Sequence, residues 1–187
     1  YLLVPVLWAA FIFSAWFVAR HDLPWWGLVA MVLTAGSVGG FCINLGHELG
    51  HKLPALERTL ARLVLAPTGY GHFSIEHNQG HHRHVATPAD PASSRMGESI
   101  YGFLLREMPG ALRRAWAIES ARLAVNRHSA WSARNEILQT ASVTLALWAR
   151  LAVWPGPDIL VFVLAASCRP NFQLTSANYV EHYGLLR

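Results

Sequence analysis

The chain of 187 residues is 53% hydrophobic and only 14% charged, with a mean hydropathy of +0.27. Soluble domains carry about a quarter charged residues, so this balance excludes an ordinary cytosolic globule and a disordered chain. Two cysteines, Cys42 and Cys168, exclude a disulfide scaffold and a four-cysteine metal site, whereas ten His against eleven Asp plus Glu is an excess that asks for a function.

Leu2 to Ala19 carries no charge and Arg20 closes it. That length fits one bilayer crossing. After the His21-Asp22-Leu23-Pro24 connection, Trp25 to Gly46 is again uncharged, with Trp25 and Trp26 where indoles gather at a membrane interface. Gly27, Gly36, Gly39 and Gly40 let a neighbouring helix approach closely. A transmembrane hairpin over 2–46 is expected. Leu53 to Leu65 reads as a short amphipathic helix ended by Pro67, and Gly69-Tyr70-Gly71 turns the chain into a histidine-rich segment. The region 85–134 is polar, and eight Arg fall between Arg83 and Arg134. Helical periodicity runs from Glu98 to Val125, with an interruption expected at Pro109-Gly110. Such a helix suits a membrane surface or open solvent equally. Ile137 to Trp154 and Ile159 to Tyr179 form an expected second hairpin over 137–180, turning at Trp154 to Asp158. Arg169, near the middle of the last span, is costly in lipid and requires a polar interior or a shorter span.

The expected fold is all-α: an integral membrane helical bundle of about four transmembrane helices in two hairpins, one domain over 1–187. Placing the Arg-rich region in the cytoplasm, by the positive-inside rule, puts both Gly46 and Tyr179 at cytoplasmic ends. The histidine-rich stretches 47–84 and His182 then gather on that same side. Tyr1 in place of Met, and the stop after a motif-like run, lead us to expect a piece of a longer membrane protein.

Three constellations carry chemistry. In His47-Glu48-Leu49-Gly50-His51 the imidazoles lie at i and i+4, on one helical face, so both can reach one metal. In Glu76-His77-Asn78-Gln79-Gly80-His81-His82 the imidazoles lie at i, i+4 and i+5. On an α-helix His77 and His81 share a face and His82 turns about 100° away, free to serve a second ion. The third is Asn178-Tyr179-Val180-Glu181-His182-Tyr183-Gly184. Six imidazoles are too many for one tetrahedral site and favour two ions; imidazole alone does not choose the metal. Each ligating ring passes its other N–H to an acceptor, and Glu48, Glu76, Asp90 and Glu181 are the carboxylates expected there. His21 and His128 read as surface residues, and His72 and His84 are left unassigned.

These residues resemble the membrane alkane 1-monooxygenases. Asn44-Leu45-Gly46-His47-Glu48-Leu49-Gly50-His51-Lys52 resembles their first histidine box, and Glu76-His77-Asn78-Gln79-Gly80-His81-His82 their second. The run from Val85 to Ser99 is similar to the stretch after that second box, and Asn178 to Leu185 matches the motif shared by the family. The resemblance implies a non-haem di-iron oxygenase of the desaturase-like membrane superfamily. Its ligands here would be His47, His51, His77, His81, His82 and His182, with a further histidine box downstream and a further hairpin upstream. It implies an n-alkane substrate taken to the 1-alkanol, two Fe ions, O2 as co-substrate, electrons from rubredoxin and rubredoxin reductase, membrane lipid around the bundle and no nucleic acid. It also implies a bacterial inner membrane with the site toward the cytoplasm. The alternatives are a membrane fatty-acid desaturase or hydroxylase, an intramembrane zinc protease using His47, Glu48 and His51, and a non-enzymatic metal or haem carrier.

Overall fold

The computed structural model describes residues 1–185, and among them every regular element is helical. The order is α1 (Leu3–Arg20), α2 (Trp25–Gly50), α3 (Ala55–Leu65), a 3₁₀ turn (Ala66–Thr68), α4 (Phe73–Ile75), a π-helix (Glu76–His81), α5 (His82–His84), α6 (Ile100–Val125), α7 (Glu136–Val153) and α8 (Ile159–His182). The chain forms two compact units: Tyr1–Gly71 with Thr140–Asn171, and His72–Gln139 with the segment from Phe172 onward.

The first unit is built from α1, α2, α3 and the larger part of α7 with the first half of α8. Phe11 and Ala15 of α1, Ala35 of α2, Leu147 and Leu151 of α7 and Phe162 and Val163 of α8 share one core. Val4, Cys42, Leu49, Ala61 and Val64 form another where α1, α2 and α3 meet. The glycines of α2 admit their neighbours as expected. A Cβ at Gly39 would lie 2.7 Å from Pro170 Cγ, and one at Gly46 would lie 2.7 Å from Leu65 Cγ. Gly36 lies under the Arg169 side chain, so that arginine packs its stem against α2. Four polar residues in apolar surroundings also have a reason. The end of α3 and its 3₁₀ turn leave carbonyls that need donors. Thr68 Oγ1 donates to Leu65 O (2.7 Å), Thr144 Oγ1 to Ala66 O (2.8 Å), Ser167 Oγ to Pro67 O (2.7 Å) and Asn171 Nδ2 to Thr68 O (3.1 Å).

Two helices, α1 and α2, are long and apolar enough to cross a membrane. Their outer faces expose Leu3, Val6, Phe13, Trp25, Trp26 and Leu33, a surface suited to lipid rather than water. The expected second hairpin is less apolar: α7 begins at Glu136 and carries Arg150, and α8 carries Arg169, Asn171, Gln173 and Glu181.

The second unit is organised by α6. Ser99 caps it, its Oγ accepting from Gly102 N at 3.2 Å. Every fourth residue is buried: Phe103, Glu107, Ala111, Ala115, Glu119 and Leu123. The expected break at Pro109-Gly110 does not occur, and the helix runs through. Proline removes a bond to the carbonyl four residues back, here that of Leu105, and Leu105 lies on the exposed face, where water can satisfy it. Asn135 caps α7, its Oδ1 accepting from Ile137 N (2.8 Å) and Leu138 N (3.2 Å).

Candidate metal centre

In the first unit, the last turn of α2 presents the first histidine pair. His47 Nε2 and His51 Nε2 are 2.9 Å apart, with the rings edge to face. Two nitrogens each about 2.1 Å from one ion, at right angles about it, stand about 3 Å apart, so this spacing fits a shared ion. Glu48 Oε1 lies 3.4 Å from His47 Nδ1 on an exposed side chain.

In the second unit, the Glu76–His81 segment is π-helical, and the His82 N–H reaches His77 O. Bonding from i to i+5 stacks residues five apart. His77 Nε2 and His82 Nε2 are therefore 2.9 Å apart, the same spacing as in the first pair. This corrects the expectation of an α-helix that turns His82 away from His77. The rings of His77 and His81 stack at 5.4 Å, and His81 meets His182 edge to face at 4.9 Å. The π-turn is a rare element that is often found at functional sites. It lets one short segment offer His77 and His82 together and His81 separately, toward His182.

The tautomers are set by named acceptors. His81 Nδ1 is 2.9 Å from Asp90 Oδ2. An Nδ1–H donated there leaves Nε2 as the ligand atom. Asp90, 1% exposed, also accepts from Ser93 Oγ (2.6 Å), Arg114 Nη2 (2.8 Å) and Ala92 N (3.2 Å). Burial would raise its pKa, but these hydrogen bonds outweigh it and hold the carboxyl well below the usual carboxylate range. His182 Nδ1 points to Asn178 O at 2.9 Å, again leaving Nε2 for a metal.

Two of the expected carboxylates, Glu76 and Glu181, are placed differently. Glu76 pairs with Arg114, not with a histidine. Its burial raises the carboxyl pKa and Arg114 opposes the rise. Glu181 is exposed. His84 is exposed, and His21 stacks on Phe17 in the far turn. His72 is buried, which pushes its pKa down to about 4 and keeps it neutral.

Arg114, Ser93 and Glu107 are absent from the sequence-based site. No local spacing ties them to a histidine; only Arg114's place one turn beyond a glycine of α6 could have been noted. The third motif is also more than a histidine carrier. Tyr179 Oη donates to Glu98 O (2.6 Å), Ser94 Oγ to Tyr179 O (2.8 Å) and Gly97 N to Tyr183 Oη (3.0 Å). Gly184, at φ +70°, closes the helix in the left-handed region. The loop after the second box is thus stitched to the end of α8.

Residues 23–187 match the family described as fatty acid desaturase. The chain belongs to the fatty acid desaturase family. It is 54% identical over all of its 187 residues to an alkane 1-monooxygenase of Pseudomonas putida, covering 46% of that protein. The figures are the same for alkane 1-monooxygenase 1 of Alcanivorax borkumensis: 54% identity over the whole chain and 46% of the relative. A xylene/toluene monooxygenase hydroxylase component of Pseudomonas putida is 29% identical over 78% of the chain and 39% of its own length. The chain therefore spans about half the length of the curated relatives it matches. Membership of this family, with two apolar helices long enough to cross a bilayer, marks a membrane protein whose histidine pairs could hold metal.

Proposed function

We propose that this chain is the central part of a membrane alkane 1-monooxygenase. It hydroxylates the terminal carbon of an n-alkane at a non-haem di-iron site, using O2 and electrons from rubredoxin. The observation that carries the reading is 54% identity across the whole chain to proteins bearing that name. The paired imidazoles at 2.9 Å support it.

The donors fit the metal. His47 with His51, and His77 with His82, would offer Nε2 atoms in pairs to a metal, and His81 with His182 would offer a further set. Iron held by these residues would supply O2 activation and the oxidation of an unactivated C–H bond. The protein's own residues orient and shield. Asp90 and the Asn178 carbonyl hold ring N–H groups, so His81 and His182 can turn only their Nε2 atoms to a metal. Arg114 offsets the charge of Glu76 and Asp90. An alkane has no polar handle, so its recognition is burial, worth about 0.8 kcal/mol per CH2. The apolar helices bring the site to the phase where such a substrate dissolves. The basic region 85–134 suits an acidic electron donor approaching from the cytoplasm, at a bacterial inner membrane.

The test uses the full-length protein. With rubredoxin, its reductase and NADH, octane or hexadecane should yield the 1-alkanol, and about two Fe should be bound per chain. One zinc and no iron would overturn the reading in favour of a protease using His47, Glu48 and His51. The family description keeps a fatty-acid desaturase as a second reading. Unsaturated acyl product, with alkanes untouched at full iron loading, would select it.

A further inference from the structure

Glu107 stands in the middle of α6, 2% exposed, with no Lys or Arg among its hydrogen-bond partners in the described residues. Its Oε2 accepts from Thr175 Oγ1 at 2.8 Å, and its Oε1 faces Asn178 Nδ2 at 3.4 Å. Burying a carboxyl among neutral donors is costly, and an aliphatic side chain would fill the place more cheaply. Burial, opposed by the Thr175 bond and reinforced by the charge of Glu76, pushes the carboxyl up to about 7. The local geometry suggests what offsets that cost. Thr175, Asn178 and His182 lie at i, i+3 and i+7, one face of α8. Thr175 is fully buried, and Asn178 O is the acceptor that holds His182 Nδ1 at 2.9 Å. One turn back along the same face of α6, Phe103 packs on Tyr179 at 5.6 Å and holds the same stretch of α8.

We propose that Glu107 is a positioning residue of the metal centre: its carboxyl clamps the Thr175–Asn178 turn of α8 and, through the Asn178 carbonyl, sets the aim of His182 Nε2. The inference rests on His182 being an iron ligand. It adds that α6, which carries no ligand, sets how one ligand is presented. A carboxyl with two acceptor oxygens suits the task, because it takes one bond from each of two residues three apart. Glutamine keeps one such oxygen, and leucine keeps none.

The full-length protein is prepared in native membranes as the parent, Glu107→Leu, Glu107→Gln, Thr175→Val and His182→Ala. Iron per chain, iron affinity, the spectrum of the ferrous nitrosyl adduct and thermal unfolding are measured for each. Glu107→Leu should unfold no earlier than the parent, yet bind iron at least fivefold more weakly and shift the nitrosyl spectrum in the direction of His182→Ala. Glu107→Gln should recover more than half of that loss, and Thr175→Val should show a smaller shift of the same kind. A Glu107→Leu protein with parental iron affinity and spectrum, beside a His182→Ala protein that has lost both, overturns the positioning role and leaves the ligand reading intact. If His182→Ala itself leaves the spectrum unchanged, the ligand reading fails and this inference falls with it. Should Glu107→Leu not fold, Glu107→Gln and Thr175→Val decide, since unshifted spectra in both overturn the proposal.

Discussion

At the residue scale, Asp90 is the carboxylate whose role is clearest. Its two oxygens are engaged by His81, Ser93, Arg114 and the Ala92 N–H. Replacing it leaves the His81 ring free to rotate and Arg114 short of one partner. Asp90→Ala should therefore weaken metal binding about 10–100-fold, read by metal titration of the full-length protein. His72 makes a separate prediction about pH. Its pKa is lowered to about 4 by burial, whereas an unfolded histidine titrates near about 6.5. The unfolded chain thus takes up the proton first. The stability contributed by neutral His72 is whole above that unfolded value and drains away as pH falls toward 4. The loss is on the order of 3 kcal/mol across the window. Thermal unfolding between pH 7 and pH 4 should show it, and His72→Gln should flatten that part of the profile. In the sequence His72 is one more histidine near the boxes. Nothing local shows that burial keeps this one neutral, because burial is set by residues distant in the chain.

At the element scale, the π-helix is the decisive feature. The i+5 pairing of His77 and His82 is invisible to reasoning that assumes 3.6 residues per turn. The spacing is legible, but the helix type is not. Gly80 shows what holds the turn in place. A Cβ there would lie 2.5 Å from Arg114 Nε, so the glycine is where the π-turn touches α6. Arg114 cannot easily retreat, since Glu76 and Asp90 both hold it. Gly80→Ala should cost about 1–3 kcal/mol and lower iron occupancy, checked by thermal unfolding together with metal content. Pro109 teaches the opposite lesson. Its residue type suggests a break, and α6 passes through it because the lost bond faces outward. The glycines of α2, by contrast, are legible as points of close approach, since only a missing Cβ lets Pro170 and Leu65 come so near.

At the scale of the whole molecule, the charge pattern predicts an orientation. The Arg-rich region should lie in the cytoplasm and the His21–Pro24 turn on the opposite side. The test is a full-length protein with Cys42 and Cys168 replaced and single cysteines returned at Asp22 or Arg95. An impermeant thiol reagent applied to spheroplasts should label the Asp22 position at once and the Arg95 position only after the membrane is opened. Labelling in the reverse order would invert the topology.

Membrane character, helical class, the order of the histidine boxes and the pairing of His47 with His51 are all written in the chain. Each rests on composition or on a repeat within a few residues, which local physics governs. Packing decided the rest. It set His82 against His77 while keeping His77 stacked on His81, turned Glu76 toward Arg114 and placed Asp90 against the His81 ring. It also carried α6 through Pro109 and brought Glu107 against α8. Those outcomes depend on which buried groups meet across tens of residues, and a buried polar atom takes whatever partner the packing brings within reach.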